Sequence, residues 1–196
     1  MKKSYVILGI VALVIIISYS WIKGSYNSMV TLEEGVTEKW SQVENVYQRR
    51  ADLIPNLVNV VKGYAAHEKS TLEGVIEARA KATSVNINAD NLNAESLKQF
   101  QSAQSGLSSA LSKLMVVVER YPDLKANENF RDLQAQLEGT ENRIATERMR
   151  FNEATKNYNT VIRKFPKNIF AGMFGFEKKA YFEADKGAEK APVVEF

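Results

Sequence analysis

The chain has 196 residues, 45% hydrophobic and 25% charged, which is enough for one core, and its formal net charge is only +3. Lysine and arginine are mixed with acidic residues throughout, so no basic stripe points to nucleic acid. The absence of cysteine excludes disulfides, thiolate zinc sites, iron-sulfur clusters, a cysteine nucleophile and a lipoprotein anchor.

The chain opens with MKKSYVILGIVALVIIISYSWIK, two lysines before a charge-free apolar run from Tyr5 to about Ile22. A membrane-spanning helix needs about 20 such residues, and this run is just sufficient. A cleaved signal peptide shares the basic start, but here the run is long and ends in Trp21-Ile22-Lys23 rather than in a small-x-small cleavage site. An uncleaved single-pass anchor over residues 1–26 is therefore expected. Lys2, Lys3 and the amino group slightly outweigh Lys23, which favours an N-terminus inside and a body outside the cytoplasm.

From Thr31 onward the periodicity is helical. Val36, Trp40, Val43, Tyr47, Arg50, Ile54, Leu57, Val61 and Tyr64 alternate steps of four and three, the seam of a helix packed in a bundle. Pro55 lies within that seam and predicts a kink rather than a stop. Ser70-Thr71-Leu72-Glu73 matches a capping box, so YAAHEKST is expected to be a helix-helix corner followed by a short helix from Leu72 to about Ala82. The polar stretch SVNINADNLN (84–93) reads as a loop in which Asp90, Asn91 or Asn93 caps the next helix.

A further seam runs Leu97, Phe100, Gln104, Leu107, Leu111, Leu114, Val118, Tyr121, and Pro122 stops it. The last runs Phe130, Leu133, Leu137, Thr140, Ile144, Glu147, Phe151, Ala154, Tyr158, Val161, Phe165, and Pro166 stops it. No strand pattern appears before the tail APVVEF. The expected architecture is all-α: a transmembrane helix, an antiparallel up-and-down four-helix bundle over residues 27–166, and a C-terminal apolar segment and tail over residues 167–196.

Catalytic chemistry finds little support. His67 is the only histidine, and position 71, where a second ligand of a zinc motif would stand, is Thr71. Ser105-Gly106 lies inside a helical seam without the strand a nucleophile elbow needs. The glycines around Gly172 and Gly175 lack the Lys-Ser/Thr pair of a phosphate loop. Glu33 and Glu34 read as a solvated helix end.

Two features stand out. Arg50 and Glu147 are charged members of apolar seams, each midway along its seam, so matched antiparallel packing predicts a buried pair between them. Phe165, Ile169, Phe170, Met173, Phe174 and Phe176 crowd into FPKNIFAGMFGF, and they either plug the end of the bundle or meet a membrane or a partner.

RRADLIPNLVNVVKGYAAHEKSTLEGVIEARAKA, the later FPKNIFAGMFGF and the terminal FEADKGAEKAPVVEF together resemble the bacterial LemA family, over essentially the whole chain. Arg49, Arg50, Asp52, Pro55, Asn56, Tyr64, His67 and Glu68 fall in the shared stretches. The resemblance implies a single-pass protein of the bacterial inner membrane whose body is an up-and-down four-helix bundle. It implies no catalytic activity, and it suggests association with envelope proteins such as a membrane peptidase. The expected function is thus a membrane-anchored scaffold or adaptor acting through partners or self-assembly as a homo-oligomer, with no cofactor, metal or nucleic acid. The alternatives are a hydrolase or metal-dependent enzyme using His67 and Glu68, and a membrane-shaping oligomer.

Overall fold

Helix α1 (Lys2–Tyr64) is 63 residues long and passes without a break from the apolar run into the body. The computed structural model describes residues 2–183; the APVVEF tail, and with it the C-terminal part of the expected 167–196 segment, lies outside the described residues. The other helices are α2 (Lys69–Ser84), α3 (Ala94–Val118), α4 (Pro122–Ala126), α5 (Glu128–Arg163) and α6 (Lys167–Phe174), with a 3-10 turn at Ala89–Asn91. No strand occurs among the described residues.

The lower part of α1 is long and apolar enough to cross a membrane, and its side chains are exposed throughout. Residues 4–22 carry no charge, and at about 1.5 Å per residue they span about 28 Å, close to the thickness of a hydrocarbon core. Residue 26, the expected limit of the anchor, falls inside unbroken helix. At that level the buried face begins with Ser25 and Met29 and continues through Val36, Trp40, Val43 and Tyr47.

Pro55 lacks the N–H that would bond the carbonyl of Ala51 four residues back. Arg79 of α2 replaces it, its Nε donating to the Ala51 oxygen at 2.7 Å. The helix thus continues through Pro55, and the same bond fastens α2 to α1.

At Tyr64 the chain turns, as expected for the YAAHEKST corner. The capping box does not form: α2 begins at Lys69, three residues before the expected Leu72, and no side chain caps it. The turn closes instead through backbone, the Glu68 carbonyl accepting from Thr71 and Leu72 N–H. The Glu68 carboxylate is drawn away toward Tyr121 and Arg120. From there α2 runs back down α1, and the extended segment after Ser84 completes the descent. Trp40 marks that level, its indole N–H donating to the Ile87 carbonyl at 3.3 Å.

Asn93 caps α3, its side chain accepting from the N–H groups of Glu95 and Ser96. Asn91 lies in the 3-10 turn, and the Asp90 side chain lies outside the described atoms. α3 climbs to the upper corner. Pro122 then does more than stop it, since it opens the short helix α4, where a proline costs no helical hydrogen bond. Asn127 caps α5, which descends beside α1. The α1–α5 register is fixed at several heights: Asn127 bonds Tyr64, Glu141 pairs with Arg50, and Phe151 packs on Trp40.

Candidate functional site

At the upper corner His67 is exposed and Glu68 is half-buried. Glu68 Oε1 accepts from the Tyr121 hydroxyl at 3.1 Å and lies 3.1 Å from Arg120 Nη2. Burial, and then the Glu68 carboxylate, push the Tyr121 phenol above its ordinary range. Among the described residues no group of three or more His, Asp or Glu side chains could hold a metal. The Glu68 carboxylate thus joins α2 to the end of α3. Of the residues in the family-like stretch, Arg49, Asp52, Pro55 and Asn56 face solvent, Asp52 accepting from Gln48 at 2.8 Å.

Halfway up the body, Arg50 is buried to 1% exposure. Its Nη1 donates to Glu141 Oε1 at 2.6 Å and to Ser108 Oγ at 3.0 Å. Its Nη2 donates to the Gln104 side-chain oxygen, Gln104 Nε2 in turn reaches the Ala82 carbonyl at 3.2 Å, and the guanidinium lies over the Tyr47 ring. One polar layer therefore ties α1, α2, α3 and α5 together. Arg50 Nε alone has no hydrogen-bond partner.

The expected partner Glu147 is not the one used. Glu147 sits six residues further along α5, about 9 Å at 1.5 Å per residue, and pairs with Arg150 on its own helix at 2.8 Å. The seams do face each other with matched ends, but the α1 seam starts lower than Val36. It extends down through Glu33 and Met29, and the charge on Glu33 hid that extension. Glu33 and Glu34 are accordingly no helix end: the Glu33 carboxylate lies 2.9 Å from Lys179 Nζ and 3.4 Å from the Tyr158 hydroxyl. Burial, and after it Glu33, raise the Tyr158 phenol well above its usual range.

Below the Arg50 layer, residues 177–183 form an extended strap along α5. Asn159 donates to the Lys179 carbonyl and accepts from the Lys179 N–H, and Asn152 does the same for Phe182. Seven residues of helix and three of extended chain both advance about 10 Å, so two asparagines on one helix face can read alternate stretches of backbone. Phe182 then enters the core, stacking on Trp40 and meeting Phe151 edge-on at 5.5 Å, with Arg148 over its ring. The Glu183 carbonyl accepts from Gln101 of α3 and Arg148 of α5. Periodicity could not reveal the strap, although two asparagines one heptad apart beside Phe151 and Tyr158 were a visible signal.

At the base, the apolar segment divides. Phe170 packs edge-on against Trp21 at 5.3 Å, and Phe174 and Phe176 pack against Tyr26 at 5.0 and 5.7 Å. Lys167 Nζ donates to Ser28 Oγ. Phe165, expected as the last seam residue, is instead 80% exposed, and Ile169 and Met173 are exposed beside it. α6 ends at Gly175, whose φ of 78° favours glycine, and the Phe176 N–H closes the turn on the Ala171 carbonyl.

Against known proteins, residues 39–196 match the LemA family. The chain belongs to the LemA family. It is 31% identical over 186 residues to the magnetosome protein MamQ 2 of Paramagnetospirillum magneticum, an alignment covering 86% of this chain and 68% of that one. It is 30% identical to the magnetosome protein MamQ of Magnetospirillum gryphiswaldense, with the same coverage. The protein LemA of Metamycoplasma hominis is 23% identical over 83% of this chain and 71% of its own. The LemA match takes in the Arg50 layer, the upper corner, the strap and α6 alike.

Proposed function

We propose that this LemA-family protein is a membrane-tethered helical scaffold or adaptor of the bacterial envelope, non-catalytic, acting through protein partners or self-assembly. The observation that carries this reading is the unbroken α1, which joins the apolar span to the core of the body with no linker. A tether of this kind sets the height and rotation of the presented surface, which an organising protein needs and a diffusing enzyme does not. The magnetosome naming of the MamQ relatives supports a role in an organised subcellular structure.

Residues 4–22 cross the inner membrane in this reading, and Lys2 and Lys3 hold the N-terminus inside, so the body lies outside the cytoplasm. A reporter active only outside the cytoplasm, fused after Phe196, is expected to work; activity of a cytoplasmic reporter alone reverses the orientation. The scaffold role is tested by photo-crosslinking in cells from Ile76, Val116 and Met149, exposed apolar positions on α2, α3 and α5. Discrete adducts with a second copy or with envelope proteins are expected. Uncrosslinked protein at all three positions contradicts the role.

A further inference from the structure

We propose that α6 and the Phe165 bend form a foot that lies in the headgroup region of an anionic lipid bilayer, beside the point where α1 leaves it. The proposal rests on the reading of α1 as the membrane span and adds a second, independent membrane contact. Three observations on different residues carry it.

The first is height. Phe170 is packed on Trp21 and Lys167 on Ser28, and Trp21 belongs to the last turn of the charge-free run. Once residues 4–22 are in the hydrocarbon, α6 has nowhere to be but at its edge. Trp21, Tyr19 just below it and Tyr26 above it on α1 are the side chains that favour that boundary.

The second is the way the apolar side chains divide. If the cluster were only a plug for the end of the body, its large members would turn inward. Ala171 is buried and Phe170 packs inward, but Phe165 is 80%, Ile169 52%, Met173 71% and Phe174 45% exposed. Ile169 and Met173, four apart, share one face of α6. Trp21, on which Phe170 packs, is itself exposed at the top of the span.

The third is charge. Between Glu153 and Glu177 the sequence contains no acidic residue, while Arg163, Lys164 and Lys167 lead into and open α6, and Lys23 stands just above Trp21 on α1. A short amphipathic helix flanked by lysine and arginine suits the negative surface of a bilayer, which attracts basic residues near it. Burying the apolar face of α6 would hold the body against tilting, because the foot and the span then contact the membrane at two points.

The test uses the full-length protein, whose lack of cysteine permits single labels. Variants Ile10→Cys, Met173→Cys and Met149→Cys each receive an environment-sensitive fluorophore. Each is reconstituted into phosphatidylcholine vesicles, with or without phosphatidylglycerol, containing lipids with quenchers on shallow or deep acyl carbons. Position 10 is expected to be quenched from deep carbons and position 173 from shallow ones, more strongly with phosphatidylglycerol, and position 149 not at all. Quenching at 10 with none at 173 overturns the foot while leaving the span intact, and no quenching at 10 removes the span itself. If 173 is unquenched in vesicles yet shielded from an impermeant thiol reagent in native membranes, a protein covers the face and the lipid proposal is wrong.

Discussion

The Arg50 layer divides the body into two halves built on different principles. Below it the core is aromatic: Trp40 meets Phe100, Phe151 and Phe182, and Tyr47 meets Phe100. Above it the core is mainly aliphatic, with Ile54, Leu57, Val61, Val75, Leu107 and Leu114 among its fully enclosed members. The lower half is closed by an added piece of chain, the strap, lying between α3 and α5. Above the level of Glu183 the described residues leave a groove between the same two helices, lined by Leu111, Met115 and Leu137 and reaching Ser108 and Glu141. Large rings leave space that helices alone do not fill, whereas branched aliphatic side chains let α1, α2 and α3 close on themselves.

If the strap is structural to the lower half only, ending the chain after Phe176 should open that half and spare the other. Phe182 is 6% exposed, and truncating a buried phenylalanine costs about 3 to 5 kcal/mol. Phe182→Ala should therefore be the most damaging single change in the strap. Amide exchange should rise around Trp40 and Phe151 while Leu107 and Leu114 stay protected; a uniform rise would show that the halves are not separable. Asn152→Ala and Asn159→Ala should each cost less, on the order of 1 to 3 kcal/mol for the backbone groups left unpaired.

The dividing layer gives the next effect. Glu141→Leu leaves Arg50 buried without its carboxylate, a loss of up to about 3 kcal/mol given that Glu141 is half exposed and water can partly replace it. Arg50→Met with Glu141→Leu should recover much of that loss. Glu147→Leu should change stability by less than about 1 kcal/mol, because its partner Arg150 is exposed. Denaturant midpoints for the three variants decide the matter, and a larger cost at Glu147 than at Glu141 would restore the pairing of Arg50 with Glu147.

The layer also shows what the sequence could and could not disclose. The seam positions of α1, α3 and α5 were readable because apolar residues recur every three or four positions, and most of them are buried. Arg50 was readable as a buried charge for the same reason. Its partner was not, since choosing between Glu141 and Glu147 required the register, and the register depended on Met29 and Glu33, where a charge interrupts the pattern. The strap has neither helical nor alternating periodicity, because α5 holds it by side-chain to backbone bonds that impose no pattern on residues 177–183. Arg79 falls within the short helix expected from Leu72 to about Ala82, but its bond to Ala51 depends on the gap that Pro55 leaves.

That bond yields a smaller effect in the upper half. Arg79→Met should cost on the order of 1 to 3 kcal/mol by leaving the Ala51 carbonyl unpaired. In a Pro55→Ala background, where the helix regains its own N–H donor, the same change should cost distinctly less. Equal costs in both backgrounds would show that Arg79 acts only by packing.

The smallest expected effect returns to the lower half. Burial raises the Glu44 carboxyl above its ordinary value, with a hydrogen bond from Trp40 opposing in part. A raised carboxyl binds its proton more tightly when folded, so its contribution favours the native state in acid and is lost as the pH rises from the ordinary carboxylate value through the raised one. Glu44→Gln should therefore gain stability relative to the parent on going from acidic to neutral pH. The opposite trend would mean that the charged form is the one the fold prefers.

The central claim is that α1 carries the body rigidly upright from the membrane. Energy transfer from fluorophores on the full-length protein in vesicles to acceptors at the lipid headgroups measures height directly. Counting along α1 from Ile22 at about 1.5 Å per residue puts Met173 at the surface, Met149 about 30 Å above it and Val116 about 60 Å above it. Transfer falling in that order is the predicted result, and equal transfer from Met149 and Val116 would contradict the account.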